Sequence, residues 1–373
     1  MTRPSLLPAN ATRFEDTLSL ATDMIPRVKD PIDAMRGIKY VNTPPSLLPF
    51  LIYEYGLEEL RPYVPNLYAL IREGIAWQRV RGTAAALERG LSWLDYEAGL
   101  EEAPVRRKRW HLFQLHLDRV RDNEEPDLDR IDGIATLSAC FRSVFYRGFH
   151  GYDARALELG YSRVAQSILS DDSGVRLRQD GAKWSFGRVY DLSYTLSQVE
   201  LQALGIWIEP AENEAQPLGW GELTWSGAGS TWTSPAAQAR RRAMCDALEA
   251  KSAWLELIGA DDQVIGYRRA RVSTGVLAEF GGPYSVDGIR FAPDDLAEIL
   301  YVEFLTGFGD GAGETAARCR IVFDGAPVDP DKPGLAWVSP AELAGLGAGV
   351  AQQTITIKLG RTVRERFRFV LRF

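Results

Sequence analysis

Cysteine and histidine are scarce in this chain of 373 residues, which contains three of each. Cys140, Cys245 and Cys319 lie far apart and are odd in number, which argues against a disulfide framework and against metal-ligand spacing. None of the patterns H-E-x-x-H, G-x-S-x-G or C-x-x-C occurs. His111 and His116 are expected on opposite faces of one strand, so they do not form a metal site together. This scarcity predicts no metal, no cofactor and no catalytic residue.

Long apolar runs and an excess of basic charge are also missing. No segment approaches the roughly 18 apolar residues that a membrane span needs, and the N-terminus lacks the basic-then-apolar pattern of a signal peptide. The 50 acidic residues outnumber the 43 basic ones, and the net charge is −7. The composition therefore supplies no general attraction to nucleic acid or to anionic membranes. We expect a chain made in the cytoplasm, with no nucleic-acid partner and no membrane insertion.

Apolar residues, in contrast, are plentiful. Hydrophobic residues make up 46% of the chain and tryptophan occurs ten times, which is enough for more than one buried core. The first hundred residues carry helical signals. Thr12 and Glu15 form a T-x-x-E capping box, and the helix that follows is predicted to end at Pro26. Asp30 as N-cap and Gly37 as C′ residue predict a second, short helix.

The stretch NTPPSLLPFLIYEYG predicts a stepped helix. Its first two prolines suit a first turn, whereas Pro49 disfavours helical geometry at Leu48 and so predicts a kink there. A helix then runs from Pro49 to about Tyr55 and ends at Gly56. Its own apolar stripe consists of Leu48, Leu51, Ile52 and Tyr55. Phe50 points away from that stripe and is therefore a candidate for contact with a second chain.

Two further helices are predicted before residue 100. PNLYALIREGIAWQRVRG carries one apolar stripe that includes Trp77, and Gly82 ends it. Thr83 is the expected N-cap of the next helix, in which Leu87 and Leu91 share one face. Because the connections are short, these helices are expected to be antiparallel neighbours in a small bundle.

The pattern changes to β structure after Glu101. The alternation in HLFQLHL predicts a strand, and DLDRIDGIATLSACFRSVFYRGF is interpreted as a helix. From about residue 165 most signals are β, with hairpins predicted in WLELIGADDQVIGYRRARV and at Asp287-Gly288. The final runs, 355–359 and 367–373, are interpreted as a strand pair with one wet, basic face. Short helices are predicted after Ser234 and, by a second capping box, after Ser339.

Together these patterns predict an α+β protein. A small N-terminal helical bundle is followed by a mostly antiparallel β-rich region with a few short helices. We expect a helical domain over residues 1–104, a small α/β connecting segment over 105–164, and a β-rich domain of one or two subdomains over 165–373.

Two motifs that suggest other ligands have simpler explanations. GFGDGAG resembles a dinucleotide-binding loop, but the next strand-like run follows too closely for the required helix, and Asp310 would oppose a phosphate. A strand connection is favoured. The basic runs Arg106–Arg109 and Arg240–Arg242 are not interleaved with aromatic residues, which favours a solvated or salt-bridged face over nucleic-acid binding.

The tryptophan-rich segment near residue 220 leaves three interpretations open. Trp220, Trp225 and Trp232 lie among glutamates, and such tryptophans are most often core or interface anchors. They could also contact a glycan or a fibre. Paired carboxylates can hydrolyse glycosides, so Glu212 or Glu222 could serve a peptidoglycan-cleaving enzyme. The spacing alone does not bring any two carboxylates to the required separation.

The ordered N-terminal motifs resemble one family. SLLPANATRFEDTLSLAT, TPPSLLPFLIYEYGLE and IREGIAWQRVRGTAAALERGLSWLDY follow one another in the order and spacing of the phage tail protein I family. The matching positions are Leu6 to Glu15, Pro44 to Leu51 and Arg79 to Leu91. The resemblance covers roughly the first 120 residues, and the β-rich part is interpreted as an added or enlarged module.

The resemblance implies a baseplate wedge protein of a contractile phage tail or a related injection particle. Such a protein joins J-type wedge proteins, two copies per copy of this chain, contacts a hub-proximal wedge protein and supports a tail fibre or its adaptor. It is located in the virion and is not an enzyme. The competing hypotheses are a host-surface glycan-binding module and a peptidoglycan-cleaving enzyme. The residues expected at partner interfaces are Leu48, Phe50, Leu51, Tyr55, Trp77, Leu87 and Leu91.

Overall fold

The computed structural model describes residues 7–8, 10–40, 43–103, 109–156, 167–168, 172–210 and 235–373. The chain divides into two compact units, residues 1–94 and 95–373. The first consists of helices and the second is dominated by a mostly antiparallel sheet, which confirms the predicted α+β class. The three-part domain division expected from the sequence stays a prediction.

The first unit contains five α-helices in its described residues. They are α1 Arg13–Ala21, α2 Ile25–Tyr40, α3 Leu48–Glu54, α4 Leu67–Gln78 and α5 Ala84–Ser92. Short 3₁₀ helices span Pro45–Leu47 and Glu58–Leu60. The predicted capping box is confirmed: the Thr12 hydroxyl accepts a bond from the Glu15 amide at 3.3 Å, and the Glu15 carboxylate accepts one from the Thr12 amide at 2.7 Å.

The predicted boundaries of the first two helices are wrong. α1 ends at Ala21, four residues before Ile25, and α2 starts at Ile25 and continues through Pro31. The Asp23 carboxylate accepts a bond from the Ile25 amide at 2.9 Å and so starts the second helix earlier than the sequence suggested. Proline forfeits one intrahelical hydrogen bond, and α2 continues despite this loss.

The step predicted around the three prolines is present, but the predicted departure from helical geometry at Leu48 is wrong, since Leu48 has φ of −55° and ψ of −43°. A 3₁₀ turn over Pro45–Leu47 leads directly into α3, which begins at Leu48. Gly56 follows the helix with φ of +65°, a conformation that L residues rarely adopt. Proline therefore starts this helix and glycine ends it.

Helices α3 to α5 pack closely in the first unit. Asn66 caps α4, since its side-chain oxygen accepts bonds from the Tyr68 and Ala69 amides at 3.0 and 3.1 Å. A Cβ atom added at Gly74 would lie 2.8 Å from the end of the Leu57 side chain, so a larger residue would displace that side chain. The ring centroids of Trp77 and Trp93 are 6.4 Å apart.

The second unit contains strands β1 to β18 and helices α6 to α8. The strands are β1 Ala98–Glu102, β2 Leu112–Leu117, β3 Val144–Gly151, β4 Arg155–Ala156, β5 Ser167–Ile168, β6 Val175–Arg176, β7 Lys183–Thr195, β8 Ala253–Gly259, β9 Val264–Ala278, β10 Tyr284–Val286, β11 Ile289–Pro293, β12 Ile299–Leu305, β13 Thr315–Phe323, β14 Ala326–Pro327, β15 Trp337–Val338, β16 Leu343–Ala344, β17 Gly349–Lys358 and β18 Val363–Arg372. The helices are α6 Asp127–Ser138, α7 Gln198–Ala203 and α8 Pro235–Glu249.

One large sheet organises this unit. Its strand order is β1-β2-β3-β7-β18-β12-β9-β8-β13-β17, with the β10–β11 hairpin joined to β9. The predicted hairpins are confirmed, and Asp287 and Gly288 have φ of 51° and 79° in the tight turn between β10 and β11. The second capping box, at Ser339, is also confirmed.

Two predictions about this unit are wrong. The segment interpreted as one helix after residue 127 contains α6 only to Ser138 and then strand β3. The last two strands do not pair with each other: β17 pairs with β13, whereas β18 lies between β12 and β7. Alternation identifies the two faces of a strand but not its neighbours.

The expected wet, basic face of β18 is instead ion-paired. Arg366 donates to Glu303 at 2.7 Å, and Arg368 donates to Asp191 at 2.6 Å. On the other face of β18, Phe367 and Phe369 are fully buried in the main core.

Candidate interaction surfaces

The seven predicted interface residues are divided between the interior and the surface of the first unit. Leu48, Leu51, Trp77, Leu87 and Leu91 are at most 6% exposed. Tyr55 is half-buried, and its carbonyl accepts a bond from the Gln78 side chain at 2.8 Å. Phe50 is 70% exposed. The five buried side chains have little accessible area in the described structure, so Phe50 offers most of the accessible area in this set.

Phe50 has an exposed aromatic neighbour that the sequence interpretation missed. Tyr53 is 74% exposed and lies three residues after Phe50 on α3, hence on the same helical face. The opposite face of α3 carries the buried Leu48, Leu51 and Ile52. The two apolar faces follow from helical spacing in one short segment, LPFLIYE.

The helix α1 exposes its apolar residues. None of its residues is buried, and Phe14 and Leu18, four residues apart, are 73% and 49% exposed. Helices normally bury such a stripe against a core. Among the described residues, α1 has its apolar face directed to solvent.

The helix α2 carries a longer exposed stripe. Ile25, Val28, Ile32 and Met35 follow one another at intervals of three, four and three residues, which is the a/d spacing of a coiled coil. They are 40%, 40%, 52% and 72% exposed. We call these four side chains the α2 stripe. The sequence interpretation missed it because Pro31 was expected to begin a helix.

The three tryptophans predicted to contact a glycan or a fibre lie outside the described residues, as do Glu212 and Glu222. The glycan-binding and peptidoglycan-cleaving hypotheses therefore stay predictions. Trp207, just before this segment, packs against the main core of the second unit, and its Nε1 donates to Glu209 at 3.0 Å. This neighbour is a core anchor.

The basic run on α8 is used inside the second unit. Arg241 donates to Glu298 at 2.8 Å, and Arg242 lies 3.9 Å from the same carboxylate. Arg240 lies over the Trp207 ring at 5.3 Å. These contacts match the salt-bridged alternative. In the other run, Arg109 is exposed and residues 106–108 lie outside the described residues.

The loop GFGDGAG connects β12 and β13, as the strand-connection interpretation predicted. The Asp310 carboxylate accepts a bond from the Gly307 amide at 2.6 Å and pairs with Arg268 at 2.9 Å. The Asp310 carboxylate thus accepts the hydrogen bond of a backbone amide that a bound phosphate would need.

Two histidines line an open pocket of about 420 Å³ with Glu97 and Asp118. The His116 ring stacks on Phe149 at 4.9 Å, and His150 Nδ1 lies 2.7 Å from the Leu117 carbonyl oxygen. In the described parts of the chain, no group of three or more His, Cys, Asp or Glu residues is arranged to hold a metal ion.

A buried ion pair joins β3 to the segment that follows it. Arg147 is fully buried and pairs with Asp153, whose carboxylate also accepts bonds from Ser173 and Ser185 at 2.7 and 2.9 Å. Burial opposes ionisation of Asp153, but the attraction of Arg147 and these hydrogen bonds outweigh it and lower its pKa. No local sequence pattern predicts this cluster, because Ser173 and Ser185 are distant along the chain from Arg147 and Asp153.

Comparison with known families bears on the first part of the chain. Residues 7–138 match the family model of phage tail proteins designated Tail_P2_I. This match confirms the resemblance stated above, and it supports a structural component of a phage tail. No curated protein matches the chain. No helix in the described ranges has both the length and the apolar character needed to cross a membrane.

Proposed function

We propose that the chain is a non-enzymatic structural subunit of the baseplate wedge of a contractile phage tail. In this role it joins J-type wedge proteins around the hub. The family match over residues 7–138 supports this proposal. The observation that carries it is the α2 stripe, which presents apolar side chains at coiled-coil spacing and leaves them exposed.

The exposed stripes explain why a partner would bind here. Burying an isoleucine, valine or methionine side chain contributes about 1.5–3 kcal/mol relative to leaving it in water. An a/d stripe is narrow and fits the groove of another helix rather than a broad core. Most helical stability in proteins comes from packing of an apolar face, so contact with partner helices would also stabilise α2.

The test is co-expression with the neighbouring baseplate proteins and co-purification. Ile32→Asp combined with Met35→Asp places two charges in the α2 stripe. We expect at least about a tenfold loss of co-purified partner, because each buried charge would be unpaired. Thermal unfolding of the isolated chain should change little, since both side chains are more than half exposed.

Ala34→Asp is the matched control. Ala34 is exposed on α2 and points away from the stripe, so this change adds the same side chain to the same helix. It should leave co-purification intact. A wild-type chain that never co-purifies with a baseplate protein contradicts the proposed function, and equal binding by the stripe variant contradicts the assignment of the stripe.

The second unit is our proposed site for lateral contacts or for a tail fibre or its adaptor. The support is the family match over residues 7–138 and the size of the part of this unit that lies beyond the match, residues 139–373. Pull-down of fibre proteins by the full chain tests this part. Fibre binding that survives without this chain in the tail would contradict it.

A further inference from the structure

Among the described residues of the second unit, two strand edges face each other without pairing. Residues 188–195 of β7 pair with β18 on one side, and β3 reaches only residues 183–187 on the other. Strand β17 lies at the end of the strand order and pairs only with β13 among the described residues. We call the opposing edges, residues 188–195 and 351–358, the seam.

Side chains bridge both ends of the seam. At one end Arg188 of β7 donates through Nη2 to the Lys358 carbonyl of β17 at 3.2 Å. At the other end Glu200, just after β7, accepts a bond from the Ala351 amide of β17 at 3.1 Å. The beginning of one edge therefore lies near the end of the other, and the edges run antiparallel. They are joined by side chains rather than by a backbone ladder.

The core is incompletely covered along the seam. Tyr190, Leu192 and Tyr194 of β7 and Ile355 of β17 pack against the main core but are only partly buried. Phe367 and Phe369 on the neighbouring strand β18 are completely buried. The loss of coverage follows both open edges, as expected where the described part of a sheet that curves around its core leaves one strand position unfilled.

We propose that the seam receives an extended strand from a partner protein chain. The occupant is defined by backbone chemistry, because rows of N–H and C=O groups on each edge pair with another strand. Since the two edges are antiparallel, an inserted strand runs parallel to one and antiparallel to the other. Its side chains would alternate, apolar toward Tyr190 and Ile355 and polar toward solvent.

The seam lacks the features that normally protect an open edge. Natural edges are blunted by free charges or prolines, but 352–357 of β17 reads QQTITI. The charges beside the seam are already used: Arg188 donates to Glu365 at 3.0 Å, and Lys358 donates to Asn123 at 2.8 Å. An uncharged β-prone edge of this kind is stable against aggregation when a partner covers it. This favours a strand of mixed apolar and uncharged polar residues.

Hydrogen–deuterium exchange on the full chain, alone and in purified tails, tests the proposal. In the isolated chain the seam amides should exchange faster than those of the central strand β12. In the tail they should slow by at least about tenfold, because strand pairing protects outward amides. Seam amides that are already as protected as β12 in the isolated chain overturn the proposal, as does unchanged exchange in the tail.

A variant pair separates the seam from general core damage. Ile355→Lys places a charge that can reach water through an empty seam but not through a filled one. We expect near-normal folding of the isolated chain and at least about a tenfold loss of incorporation into tails. Ile265→Lys is the control, since Ile265 is also half-buried against this core but lies on β9. It should be incorporated normally, and equal incorporation of both variants would overturn the proposal.

The identity of the partner rests on the proposed function, but the seam itself does not. If purified tails lack the chain, the proposed function fails. The isolated chain then decides the seam: rapid exchange supports an unfilled strand position, and protected seam amides contradict it.

Discussion

The helices α1 and α2 and the strands β12 and β18 place their apolar residues in opposite environments. Phe14 on α1 and Met35 on α2 are 73% and 72% exposed, whereas Phe304 on β12 and Phe369 on β18 are completely buried. The other face of the sheet carries the ion pairs Arg366–Glu303 and Arg368–Asp191 beside a second buried apolar cluster that includes Tyr301 and Val370. The strands bury their apolar side chains within this chain, while the two helices present theirs to solvent.

This difference separates residues that stabilise the fold from residues that are available for binding. A buried phenylalanine contributes to the free energy of unfolding of the isolated chain. An exposed apolar stripe contributes little until a partner covers it. Substitutions in the two regions should therefore affect different measurements.

The largest expected effect is in the sheet. Phe369→Ala should lower the free energy of unfolding of the isolated chain by about 3–5 kcal/mol, because it leaves a cavity beside Phe304, whose ring centroid lies 5.9 Å away. Urea unfolding measured by tryptophan fluorescence checks this. Phe14→Ala is the counterpart in α1 and should change the same free energy by less than about 0.5 kcal/mol. Equal losses for the two variants would remove the distinction.

The buried pair Arg147–Asp153 provides the next effect. Asp153→Asn should destabilise the chain by roughly 3 kcal/mol, because it leaves a fully buried guanidinium without its counter-charge. Thermal and urea unfolding measure the loss. Asp16→Asn is the control, because Asp16 is a partly exposed acidic residue on α1, a helix with no buried residue. This change should be nearly neutral. A neutral Asp153→Asn would show that the hydrogen bonds alone hold Arg147.

The same carboxyl gives a defined pH dependence. Because the pKa of Asp153 is lowered in the folded chain, its contribution is complete above the unfolded pKa of about 3.9. It is lost as the pH falls through the lower, folded pKa. The stability gap between the wild-type chain and Asp153→Asn should therefore be constant from about pH 7 to pH 5 and shrink below about pH 4. Urea unfolding at several pH values measures this stability gap. A gap that widens on acidification would contradict a lowered pKa of Asp153.

Sequence patterns predicted local structure better than they predicted which strands lie next to each other. The capping box at Thr12, the step at Leu48 and the turn at Asp287-Gly288 depend on residues close together in the chain, and all three were predictable. The neighbours of β18 were not, because alternation carries no information on which strand lies alongside. The α2 stripe was missed for a related reason, since a local rule about Pro31 was allowed to override the spacing of the apolar residues.

A smaller effect should follow from loss of a helix cap in the second unit. The Ser197 hydroxyl lies 3.4 Å from the Glu200 amide, and the Glu200 carboxylate accepts a bond from the Ser197 amide at 2.9 Å. Ser197→Ala should cost about 1 kcal/mol in the free energy of unfolding. The corresponding cap change in the first unit, Thr12→Ala, should lower helicity by circular dichroism without shifting the main unfolding transition. A shift of that transition by Thr12→Ala would mean that α1 is part of the same cooperative unit as the sheet.

The smallest effect on stability should accompany a clear effect on assembly. Phe50→Asp changes a side chain that is 70% exposed, so the free energy of unfolding should change by no more than about 0.5 kcal/mol. If Phe50 and Tyr53 form part of a partner interface, co-purification with baseplate proteins should fall at least about tenfold, because the charge would be buried without a counter-charge. Phe280→Asp is the control, since Phe280 is a fully exposed phenylalanine in the second unit near the β10–β11 hairpin. A Phe50→Asp chain that stays folded and assembles as well as the control would show that exposure of this aromatic face does not mark a binding surface.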